Sequence, residues 1–68
     1  MKKVATNGEY SYYDDGDSWV MFLEGNGTEI ERIYKKINPT FYSALVVKWG
    51  YEALDLEYHQ EQLENPGK

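Results

Sequence analysis

No cysteine occurs anywhere in the chain. A sequence of 68 residues without cysteine has no disulfide and no thiolate zinc site to staple it, so its fold must rest on one small core. Domains of this size bury only about 60% of the surface that the unfolded chain exposes. Such a core has to be dense in large side chains. Two Trp, seven Tyr and two Phe provide them, and that aromatic share argues against disorder. The length allows a single domain, residues 1–68.

Along the chain, KKVAT (2–6) is followed by Asn7-Gly8 and then EYSYY. Asn-Gly between two strand-like runs predicts a tight hairpin of type I′, in which both central residues take positive φ. DDGD (14–17) is a second turn, and SWVMFLE follows it. These signals predict a three-stranded antiparallel meander over about 2–6, 9–13 and 18–24. Alternation puts Tyr10 and Tyr12 on one face of strand two and Glu9, Ser11 and Tyr13 on the other. Strand three is apolar on both faces, with Trp19, Met21 and Leu23 on one and Val20 and Phe22 on the other. Its second face must meet the C-terminal segment or a partner.

After GNG (25–27), Thr28 and Glu31 fit a capping box. Ile30, Ile33 and Ile37 recur at helical spacing. A helix is therefore predicted over about 28–37. Asn38-Pro39 ends it and can start the next. Residues 39–64 read as a C-terminal helical region, weakened at Gly50. On that reading Trp49, Ala53, Leu56 and Leu63 form its core stripe, and Tyr51, Leu54 and Tyr58 a second arc. A second hairpin over 41–58, with Leu54, Leu56 and Tyr58 alternating, is the rival reading. The expected fold class is α+β: a three-stranded meander packed against two or three helices.

The net charge of −5 is unevenly spread. Glu9, Asp14, Asp15, Asp17, Glu24, Glu29 and Glu31 fall in one stretch without a base, and Arg32, Lys35, Lys36 and Lys48 follow without an acid. Direct nucleic-acid binding needs a larger basic footprint than this. Acidic surfaces favour basic partners. The N-terminal MKKVATNGEY has no apolar h-region, and the apolar runs Trp19–Leu23 and Ala44–Val47 are too short to span a bilayer. Neither a signal peptide nor a membrane partner is expected, and the default compartment is the cytoplasm.

No catalytic or cofactor signature is complete. The acids around Gly16 lack the spacing and terminal Glu of a calcium loop. His59, the single histidine, falls on the outward side of the expected helix and has neither a metal set nor a nucleophile signature beside it. GNG lacks the lysine and hydroxyl of a phosphate loop. The expectation is a protein that is not an enzyme, with no catalytic residue, no metal and no cofactor.

What remains is recognition. Acids alternate with aromatic residues twice, around Tyr13, Asp14, Asp15, Asp17 and Trp19, and again along Tyr51 to Glu64. Interface cores favour such aromatic anchors within a polar ring. The candidate partner-binding residues are Tyr13, Asp14, Asp15, Asp17, Glu57, Tyr58, Glu61 and Glu64. Their carboxylates stand where lysines and arginines would meet a nucleic-acid backbone. The expected partner is a basic protein surface, with nucleic-acid-binding host proteins as one class. On this reading, reversing charge at Asp14, Asp15 and Asp17 leaves the fold intact.

In size, in the acid-only stretch Glu9–Glu31, in the meander followed by a helix and in the acidic segment Tyr51–Glu64, the chain resembles the small acidic anti-CRISPR and anti-restriction inhibitors that phages encode. The resemblance is one of outline and carries no residue motif. It implies inhibition by occupying a partner's nucleic-acid-binding surface, as a nucleic-acid mimic. The alternative is a self-associating structural module, a homodimer formed through Trp19–Leu23.

Overall fold

The computed structural model describes residues 1–64, so the stretch 65–68 of the expected domain lies outside the described residues. Four strands follow one another as antiparallel neighbours: β1 (Lys2–Thr6), β2 (Tyr10–Asp14), β3 (Ser18–Leu23) and β4 (Glu29–Tyr34). A short helix, α1 (Phe41–Ser43), runs on as a π-helical turn over Ala44–Lys48. A two-residue strand, β5 (Glu52–Ala53), then returns to the sheet, and α2 (Leu56–Glu64) closes the described chain. The result is one five-stranded sheet in the order β4-β3-β2-β1-β5 with helices on one face. The α+β class holds, and the sheet has two strands more than the expected meander.

The first turn is built differently from a type I′ hairpin. Among the described residues only glycines have positive φ, so Asn7 does not. Its side chain does the work instead, accepting the Glu9 and Tyr10 N–H groups at 2.9 and 2.8 Å. Gly8, at φ 92°, takes the one left-handed position.

The expected helix over 28–37 is a strand. Asn26 Oδ1 takes the Thr28 N–H at 2.9 Å, and the chain folds straight back along β3. Trp19 then faces Ile33, Val20 faces Arg32 and Met21 faces Glu31. A helix with Ile30, Ile33 and Ile37 inward would need a second apolar surface to bury them. In the sheet only Ile33 packs on the core, while Ile30 and Ile37 stay exposed. The pairing energy of a full ladder with β3 overrides the local capping signal.

The C-terminal region is likewise not one helix. The π turn is closed by Trp49 N–H donating to the Ala44 carbonyl at 3.0 Å. Gly50, at φ 72°, then reverses the chain, a conformation costly for any residue with a Cβ. β5 pairs with β1 through Ala5↔Ala53 and Thr6↔Glu52. A bulge at Val4 makes that junction possible. The Val4 carbonyl accepts the Leu54 N–H at 3.1 Å and the Tyr42 hydroxyl at 3.2 Å. Asp55 caps α2 by accepting the Tyr58 N–H at 2.9 Å.

The core is Val4, Ala5, Tyr12, Trp19, Tyr42 and Leu45, with Met21, Ile33, Phe41, Val46, Tyr51 and Tyr58 packed around it. Of the stripe expected to be buried, Trp49, Leu56 and Leu63 are exposed, because α2 turns Tyr58, His59 and Gln62 inward, while Ala53 is half-buried in β5 rather than in a helix. Val20 is buried on the opposite sheet face, between its cross-strand neighbours Tyr13 and Arg32. β3 has β2 on one side and β4 on the other. Its edges are therefore satisfied, and strand pairing through Trp19–Leu23 across a dimer is closed. Among the described residues no helix is long and apolar enough to cross a membrane.

Candidate binding surface

The three aspartates of the second turn have three different fates. Asp14 Oδ1 accepts the Lys35 ammonium at 2.9 Å and the Gly16 N–H at 2.9 Å. Lys35 is nearly fully buried and lies over the Trp19 ring, 5.2 Å from its centroid. Burial pushes the Asp14 carboxyl up, and Lys35, the Tyr58 hydroxyl and the Gly16 N–H together pull it below its ordinary value. Asp15 binds Arg32 at 2.6 Å. Only Asp17 is exposed with no ion pair among the described residues. The tip therefore presents one free carboxylate where the sequence suggests three. Reversing charge at Asp14 and Asp15 would break internal ion pairs, which corrects the expectation that the fold would be indifferent to it.

Tyr58 is a structural residue. Its ring packs edge-on against Tyr42 at 5.3 Å, and its hydroxyl accepts the Trp19 indole N–H at 2.8 Å. Burial raises its phenol, and the adjacent Asp14 raises it further. The hairpin and α2 do come together, as the candidate surface requires, but Asp14 and Tyr58 meet facing inward. Tyr13 lies on the open sheet face, edge-to-face with Phe22 at 5.2 Å. The two rings join Met1, Leu23 and the Glu24–Gly27 turn around a groove of about 400 Å³. Charges on this face are paired at home. Lys3 and the Ser11 hydroxyl bind Glu24, and Arg32 binds Glu29 at 2.8 Å as well as Asp15.

The acids of α2 behave otherwise. Glu57, Glu61 and Glu64 are exposed and in no ion pair among the described residues. Glu57 and Glu61 line a polar notch of about 270 Å³ with Lys2, Asp55 and Tyr58. Lys2 reaches Asp55 at 2.6 Å and sits 5.4 Å from the Tyr58 ring centre. The bond to Asp55 raises the Lys2 ammonium, and the nearby Glu57 and Asp14 add to it. One lysine thus stands among three carboxylates, and the notch keeps a surplus of negative charge.

Two features escaped the sequence reading. His59 is half-buried rather than outward, 6.0 Å from Tyr42, and among the described residues neither its Nδ1 nor the Oε1 of the buried Gln62, one turn on, has a partner. Helical phase could have found this face only once α2 was known to start at Leu56. The second feature is a run of four rings, Trp49, Phe41, Tyr12 and Tyr51, each edge-on to the next at 5.9, 5.4 and 5.5 Å. Its members come from β2, α1 and the turn around Gly50, so no local spacing announces it.

Among the described residues no group of three or more His, Asp or Glu side chains is placed to hold a metal. No family model matches the chain, and no curated protein or solved structure matches it significantly.

Proposed function

We propose that the protein is a non-enzymatic binding module that engages a basic surface of a partner protein, in the manner of a small acidic inhibitor. One observation carries this reading. The carboxylates of the second turn are largely spent on Lys35 and Arg32, whereas Glu57, Glu61 and Glu64 are exposed on α2 with no ion pair among the described residues. Charges left unpaired in this way set association rate and partner choice more than stability. The binding residues proposed are therefore Glu57, Glu61 and Glu64, with Asp17 at the second turn, and Tyr58 supports them from beneath. Nucleic-acid-binding proteins are one class of partner with the required sign, and occupying their basic surface would exclude the ligand they bind.

The test is retention of proteins from a nuclease-treated bacterial lysate by the tagged protein and by its E57Q/E61Q/E64Q variant, at low and high salt. Basic proteins held by the parent at low salt, released at high salt and not held by the variant are the expected result. Equal retention by the two proteins would remove α2 from the contact.

A further inference from the structure

The four-ring run has a chemistry of its own. Tyr12 is buried, Phe41 and Tyr51 are half-buried, and Trp49 is 58% exposed at the end of the π turn. Tyr12, Met21 and Glu31 stand in one row across β2, β3 and β4. Successive residues in such a row share a sheet face, so Glu31 flanks the aromatic run at the sheet edge. Burial pushes the Tyr12 phenol up to about 12, and Tyr51 and then Glu31 add to the shift. Tyr51 is raised by burial, with Tyr10 and Glu9 contributing. Glu31 and Glu9 are exposed, and among the described residues neither has an ion pair. Lys48, next to Trp49 in the chain, is also exposed.

An exposed indole continuous with three further rings and flanked by an uncommitted carboxylate is the chemistry that receives a guanidinium. The planar cation stacks on the ring face, Trp being the best acceptor, and its N–H groups turn to a carboxylate. A purely apolar occupant would leave Glu31 uncompensated, and an anionic one would meet it with like charge. We infer that this strip is a second contact with the partner, and that its occupant is an arginine-bearing segment laid along Trp49 and Phe41 with Glu31 at its flank. The inference rests on the reading above only for the positive sign of the partner. The residues are different: none of the strip's four rings lines the notch that holds Lys2.

The two tryptophans make the test internally controlled. The Trp19 indole N–H is buried and bonded to Tyr58, while Trp49 is exposed. In ¹⁵N-labelled protein, a capped Arg-Gly-Arg peptide should move the Trp49 indole cross-peak saturably and leave that of Trp19 in place. The citrulline counterpart, the same shape without charge, should bind about threefold more weakly or worse, and Glu31→Gln should weaken the arginine peptide while the E57Q/E61Q/E64Q variant still shows the Trp49 shift. Equal binding of the citrulline peptide, an unmoved Trp49 signal or loss of the shift in the α2 variant would each overturn the inference. An unmoved Trp49 alongside lysate capture that still depends on α2 would sink this inference alone and leave the proposed function standing.

Discussion

The Trp19 indole N–H donates to the Tyr58 hydroxyl at 2.8 Å, across 39 residues of sequence, and so fastens α2 to the centre of the sheet. Tyr58→Phe keeps the ring packing on Tyr42 and removes only the acceptor. The buried N–H then has no partner, and a loss of about 1–3 kcal/mol is expected. Urea denaturation of the two proteins measures it, and an unchanged midpoint would show that the bond contributes nothing.

Lys35 and Asp14 form the most buried ion pair described, with Lys35 also over Trp19. Lys35→Ala leaves a largely desolvated carboxylate, and removing one partner of such a pair costs about 3 kcal/mol. The same pair contributes to the acid limb of stability, together with Glu24 and Asp55, whose partners also hold their carboxyls below the ordinary value. Because the Asp14 carboxyl is depressed in the folded state, its contribution is complete above the unfolded value of about 3.9 and is lost as pH falls below it. Thermal melts from pH 6 to pH 2 should fall most steeply below about pH 4. Asp14→Asn should flatten that limb.

At the alkaline end the sign reverses. Burial raises the Tyr12 and Tyr42 phenols to about 12 and lifts Tyr58 as well. Between the unfolded value of about 10 and the folded one, the unfolded chain loses protons that the native one keeps. Each such tyrosine then removes up to about 1.4 kcal/mol of stability per pH unit. Absorbance at 295 nm, followed as pH is raised, should show these phenolates appearing together with unfolding. Titration of all seven tyrosines near pH 10 with the fold intact would contradict the burial described.

The β4 assignment has its own signature in two neighbouring substitutions. If residues 28–37 were a helix, Thr28 would be its N-cap and Thr28→Ala would cost about 1 kcal/mol. In the sheet the Thr28 side chain has no hydrogen bond among the described residues, and Asn26 Oδ1 holds the Thr28 N–H. Thr28→Ala should therefore stay within about 0.5 kcal/mol of the parent, while Asn26→Ala should lose about 1 kcal/mol. The reverse order would restore the helix.

Gly50 takes a φ of 72° where the π turn gives way to β5. Nothing crowds an added Cβ there, so Gly50→Ala probes backbone conformation alone. A loss of about 1 kcal/mol in chemical denaturation is expected, and a gain would mean that the chain turns by another route.

The first three strands were legible because their signals are local: alternation, Asn-Gly, and the turn around Gly16. β4 was not, because Thr28–Glu31 and the isoleucine spacing satisfy a helix rule that only the neighbouring β3 edge outweighs. The helical stripe through Trp49, Leu56 and Leu63 failed for a related reason. It assumed one continuous phase, and Gly50 with β5 resets the phase before α2 begins. For the candidate surface, the sequence showed which residues carry charge but not which charges are already spent. Asp14, Lys35, Asp15 and Arg32 are separated by turns whose closure brings them together.

β1 lies between β2, its immediate successor, and β5, which arrives near the end of the described chain. On a ribosome the strands β1 to β4 emerge as consecutive neighbours and can zip in order. The nascent sheet then displays Tyr12 and Trp19 to whatever surrounds it until the segment carrying Tyr42 and Tyr58 has left the exit tunnel. Ala5 waits for Ala53, and the indole of Trp19 waits for its hydroxyl. The segment that follows β4 hides the aromatic face and also brings Glu57, Glu61 and Glu64, so the protein acquires its charged face in the same step that completes its core.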